Sequence, residues 1–72
     1  MAQVKASMAG NVWKLLVKPG DKVIDGQDVA ILESMKMEIP IAAEKGGTVK
    51  AIHVEEGSFV NEDDVLLEIV AT

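Results

Sequence analysis

The chain has 72 residues, twelve acidic side chains against seven basic ones for a net charge of −5, and no cysteine. That length makes one domain over residues 1–72, close to the lower limit for a core without staples, and the missing thiols exclude a disulfide framework or a thiolate metal site. The acidic balance argues against nucleic acid, and no apolar run approaches the roughly 18 residues that a membrane span needs. Met1-Ala2-Gln3-Val4-Lys5 lacks the charged start and apolar stretch of a secretory signal, so the cytoplasm is the expected compartment.

Valine, isoleucine and leucine dominate the apolar set, and Gly or Pro interrupts them at intervals, which is a strand-and-turn composition. Val4-Lys5-Ala6 opens a strand that Ser7-Met8-Ala9-Gly10 breaks, and Asn11 to Val17 reads as the second strand. Lys18-Pro19-Gly20-Asp21 has type II turn chemistry, with Pro fixing φ and Gly accepting a positive φ after it. Lys22-Val23 is a short strand, Asp25-Gly26 a turn, and Val29 to Ser34 the next strand. The acids of Glu55-Glu56 and Glu62-Asp63-Asp64 read as a solvated surface.

From Met37 the order replays. Adding 37 to Gly10, Val12, Leu15, Val17, Gly20 and Val23 lands on Gly47, Val49, Ile52, Val54, Gly57 and Val60. Past that point a one-residue deletion is expected, matching Asp28-Val29 to Asp64-Val65. Two copies of one unit imply two halves about a pseudo-twofold axis. The matched apolar residues, with Val29, Val65, Leu32, Ile41, Leu67 and Ile69, are the predicted core. The spacing from Val12 to Leu15 and Val17 skips one step of strict alternation, which predicts a β-bulge near Trp13-Lys14 and another near Lys50-Ala51.

Glu33-Ser34-Met35-Lys36-Met37-Glu38 lies at the junction of the copies. A helix over Leu32 to Pro40 would have barely two turns and be marginal. Ile31-Leu32 before and Ile39 and Ile41 after instead suggest a hairpin with Met35-Lys36 at its tip. The usual Asn-Gly or Asp-Gly is missing there, so a two-residue turn would hold non-glycine residues at positive φ. The result is a small acidic β-body presenting one amine. His53 is the only histidine and is expected on a strand face. With Ser7, Ser34 and Ser58 it forms no spaced nucleophile and base set, so no catalytic residue and no metal ligand is assigned.

The hexapeptide Glu33 to Glu38 resembles the biotin-acceptor motif usually written Ala-Met-Lys-Met, with Ser34 in the alanine position. Pro40 and Gly47-Thr48-Val49 resemble the stretch after the acceptor, and Val12, Val17, Gly20-Asp21 and Val23 its N-terminal partner. Over nearly its whole length the chain is similar to biotinyl/lipoyl attachment domains, in particular biotin carboxyl carrier proteins. The resemblance implies an all-β flattened barrel, or barrel-sandwich hybrid, of two antiparallel sheets. The acceptor lysine would sit on a hairpin tip at one end and the termini at the other. It also implies a non-catalytic carrier in which Lys36 takes biotin as an amide from a biotin-protein ligase and serves biotin carboxylase and carboxyltransferase components. Met35 and Met37 would be the ligase-recognition surface, with Glu33, Ser34 and Glu38 flanking it. No room exists for the protruding thumb of some carrier domains, and no Pro/Ala-rich linker is present, as in a free-standing carrier or an excised domain. Two alternatives stand beside this reading. One is lipoate on Lys36, alone or in addition to biotin, from a lipoyl ligase; lipoyl domains usually carry Asp-Lys-Ala there. The other is an unmodified β-module whose central hairpin docks a partner.

Overall fold

A computed structural model describes residues 2–71, and the regular elements among them are all strands. They are β1 (Ala2–Lys5), β2 (Gly10–Leu15), β3 (Lys22–Val23), β4 (Asp28–Ser34), β5 (Met37–Ala42), β6 (Gly47–Ile52), β7 (Phe59–Val60) and β8 (Val65–Val70). Two four-stranded antiparallel sheets form, ordered β1-β8-β6-β3 and β5-β4-β2-β7. Their facing sides enclose a core of Val, Leu, Ile and Ala with no buried polar side chain among the described residues. Valine-rich strands suit this because branched side chains stand on a pleated surface and interdigitate with the opposite sheet. This is the expected all-β flattened barrel.

A shift of 37 residues exchanges the two sheets strand for strand: β1 maps to β5, β2 to β6, β3 to β7 and β4 to β8. The correspondence reaches single hydrogen bonds. Leu16 N donates to Val29 O at 3.0 Å and His53 N to Leu66 O at 2.8 Å; Gly20 N donates to Val49 O at 2.8 Å and Gly57 N to Val12 O at 2.7 Å. Lys18 N is closed by Asp21 Oδ2 at 3.0 Å, and its mate Glu55 N by Ser58 Oγ at 3.3 Å. Ile24 N and Asn61 N are closed in the same way by Gln27 Oε1 at 3.0 Å and Asp64 Oδ2 at 2.8 Å. Some acids expected only as a solvated surface therefore hold turns: Asp64 closes one, and Glu56 Oε2 accepts from Leu15 N at 3.0 Å.

The expected one-residue deletion does not exist. The offset stays at 37 to the end, so Val29 corresponds to Leu66, not Val65. Val65 is only half-buried while Leu66 is fully enclosed. A second bulge explains this. In β4 the register jumps from Asp28 to Ala30, leaving Val29 unpaired with its side chain inside; on β8 the partners of Val4 and Lys5 are Leu67 and Val65, which skips Leu66. Two successive inward residues result, a pattern that strict alternation cannot anticipate. The predicted first bulge is present: registers shift between Val12 and Lys14, and between Val49 and Ala51.

Other departures are smaller. The second strand ends at Leu15, not Val17. Leu15, Ile52 and Val54 pack against the core without being fully enclosed, and Val4, Ala6, Ala30 and Ala43 join it. The Lys18–Asp21 turn has Gly20 at φ 94° with Asp21 N donating to Lys18 O at 3.0 Å.

Candidate functional site

β4 and β5 form one hairpin, paired from Asp28–Ala42 to Ser34–Met37, so Met35 and Lys36 alone make the turn. Their φ angles are 52° and 64°. Positive φ at both central residues is what a type I′ connection requires, because its twist matches that of the flanking strands. Non-glycine residues there cost about 1 kcal/mol each through Cβ crowding, and the paired strands on either side hold them. The turn leaves Lys36 no loop in which to wander. It stands exposed at the apex, between Met35 at 88% and Met37 at 61% exposure. The expectation of a protruding bend between paired strands is met.

The flanking residues are placed by register. Ser34 faces Met37 and Glu33 faces Glu38 across the hairpin. Two carboxylates directly opposite each other repel, a local cost of some tenths of a kcal/mol. Both are exposed, and neither has a cationic partner within 4 Å among the described residues. Leu32 points into the core, so alternation puts Glu33 on the outer face and Ser34 on the inner side.

Sequence reasoning did not single out Gly10 for this site. A Cβ on Gly10 would lie 2.8 Å from Glu33 O and 3.3 Å from Ser34 Cβ, so the missing side chain lets β2 close against the hairpin just below its tip. The signal was available, since Gly10 recurs as Gly47, where a Cβ would collide with Val70 O. β4 runs toward the tip while β8, its mate, runs away from it. Ala2 pairs with Ile69, so residues 2 and 71 lie at the end opposite Lys36.

The tip is convex. A hollow of about 460 Å³ lined by Gln3, Lys5, Ala42, Glu44, Lys45 and Asp63 among others includes none of residues 33–38. His53 lies just past β6 instead of on a strand face, and its Nε2–H donates to Glu68 Oε1 at 2.9 Å, on the neighbouring strand β8 of the same sheet. An exposed amine at the apex of a rigid β-body, away from any concavity, suits a group to be acted on by another protein. These features define a presentation scaffold.

A model of the biotin/lipoyl family, described as a biotin-requiring enzyme, matches residues 2–69. The biotin/lipoyl attachment protein of Bacillus subtilis is 62% identical over 66 residues, which are 92% of this chain and 90% of that one. The biotin carboxyl carrier protein of Streptococcus mutans is 50% identical, and the alignment takes in 89% of this chain and 49% of its length. The mitochondrial propionyl-CoA carboxylase alpha chain of Homo sapiens is 42% identical over 92% of this chain, which spans only 9% of that protein. Among solved structures, the Kluyveromyces lactis urea carboxylase superposes with a TM-score of 0.90 at 33% identity, over 96% of this chain and 6% of that one. The chain belongs to the biotin/lipoyl attachment family.

Proposed function

We propose that this chain is a biotin carrier, with Lys36 as the attachment point for biotin-dependent carboxylation. The observation that carries the reading is the two-residue apex, which holds a single exposed lysine between two exposed methionines on an otherwise rigid sheet. The family membership and the carboxylase relatives support it.

The residues fit the group. Lys36 Nζ would form the amide, and an amine fully in water accepts an activated acyl group without any rearrangement of its neighbours. The nitrogen attacks only through a free lone pair, so a partner ligase must supply the base that takes its proton. Nitrogen then bonds the acyl carbon of a biotinyl-adenylate and AMP leaves. Met35 and Met37, flexible and apolar, would fill ligase pockets. Once attached, biotin supplies a carrier for a carboxyl group between a biotin carboxylase and a carboxyltransferase. This chain contributes the rigid end of the tether, which raises the local concentration of the arm at both sites.

The test is intact mass after incubation with biotin, ATP and a biotin-protein ligase. One biotinyl group is expected on the wild type and none on Lys36→Arg. A wild-type chain that stays unmodified while a control carrier is loaded, or a loaded Lys36→Arg variant, would refute the reading. Lipoate on the same lysine is the second reading, favoured by the identity to a protein named for both groups. The same assay with lipoate and a lipoyl ligase separates the two, because the adducts differ in mass.

A further inference from the structure

The internal duplication makes each sheet a control for the other. On the outer face of the sheet that ends in Lys36, Asn11 pairs with both Glu33 and Phe59, so Glu38, Glu33, Asn11 and Phe59 form one outward row across β5, β4, β2 and β7. Trp13, the bulged residue of β2, points to the same side, since Val12 before it is buried. Phe59 is 64% and Trp13 42% exposed, and they are the only two aromatic residues in the sequence. Their mates 37 positions away, Lys22 and Lys50, lie on the outer face of the other sheet and are exposed lysines. The same backbone thus carries lysine at these positions, and the fold does not ask for an aromatic at either. Both aromatics stand on the face that leads to the acceptor lysine.

We propose that the Trp13–Phe59 face is the docking surface for the enzyme that acylates Lys36, and that the enzyme presents an apolar patch with a cationic rim to Glu33 and Glu38. This rests on the carrier reading above. A ligase must tell one exposed lysine from every other before any arm exists, and the amine offers too little area to do so. Specificity therefore has to come from protein surface beside it. A carboxylase site, by contrast, meets the finished arm and can bind that. Exposed aromatics are the residues that contribute most when an interface covers them, and an unpaired carboxylate pair at the edge of the patch favours a basic partner and rejects an acidic one.

The test is steady-state kinetics of biotin transfer to the apo protein, comparing wild type with Trp13→Lys/Phe59→Lys, which installs the residues of the symmetry mates. Ile24→Asn is the control: Ile24 is 73% exposed, follows β3 on the other sheet, and has Asn61 as its own mate. The double variant should raise KM about tenfold or more with kcat nearly unchanged, and Ile24→Asn should leave both constants alone. Loading of the double variant at the wild-type KM would overturn the proposal. So would unchanged loading combined with slower carboxylation of the pre-biotinylated variant, which would assign the face to the carboxylase. If the double variant loses the dispersed amide spectrum of the folded wild type, Phe59→Lys alone carries the same comparison. A wild type that takes no biotin sinks the carrier reading itself, an outcome distinct from equal loading of wild type and variant.

Discussion

At the apex, function and backbone preference pull apart. Met35 and Lys36 occupy left-handed conformations that Asn-Gly would adopt at lower cost, and the structure keeps them because the amine has to be there. Lys36→Ala, which retains a Cβ at φ 64°, should change stability by less than about 0.5 kcal/mol, whereas Met35→Asn/Lys36→Gly should raise it by about 1 kcal/mol; both lose the biotinyl group. Urea unfolding with mass spectrometry of the loaded products reads both quantities. Asp63, at φ 71° where its mate is Gly26 at φ 80°, is a strained position outside the site. The acidic hexapeptide was legible as a site from the residues alone, because its lysine falls at the junction of the copies. The opposition of Glu33 to Glu38 became visible only once the turn was known to have two residues, since any other loop length would change the cross-strand partners.

The strands show where periodicity succeeds and where it fails. The bulges at Trp13 and Lys50 were readable, because the spacing of the matched apolar residues skips one step of alternation at the same place in both copies. The bulges at Val29 and Leu66 were not, because each bulged residue is followed by another inward apolar residue, Ala30 or Leu67, and alternation leaves no trace in such a run. The recurrence of Asp-Val at Asp28-Val29 and Asp64-Val65 then suggested a deletion that the register contradicts. This correction has a consequence for stability. Leu66→Ala should cost about 2–5 kcal/mol, as a fully enclosed leucine does, while Val65→Ala should cost about 1 kcal/mol or less. Val17→Ala, at an 8% exposed position, should cost about 1–3 kcal/mol and exceed its half-buried mate Val54→Ala. Gly47→Ala should cost about 3 kcal/mol, because the new Cβ meets backbone and not a side chain that can turn away. Thermal and urea denaturation of the series would order them, and a Val65 variant worse than Leu66 would restore the deletion.

For the molecule as a whole, duplication does not mean two independent halves. Within residues 1–36 only β2 and β4 pair with each other; β1 pairs with β8, β3 with β6, and β7 reaches back to β2. Each half completes the other's sheet. A peptide of residues 1–36 should therefore show the narrow amide dispersion of an unfolded chain in a proton–nitrogen correlation spectrum, since an isolated hairpin buries too little to hold itself. A well-dispersed spectrum from that fragment would contradict the interlocked topology.

The all-β class, the twofold repeat, the first pair of bulges and the exposed lysine at the junction follow from the order of residues. Each is a local pattern or a recurrence along the chain, and such patterns survive without knowledge of what lies opposite. Which residue faces which across the sheets could not be read there. Pairing joins positions distant in sequence, and a single extra residue in one strand exchanges inside for outside. Tertiary structure alone decided that Leu66 takes the place of Val65, that Gly10 closes against the acceptor hairpin, and that both aromatics share the outer face with Glu33 and Glu38 beside the tip.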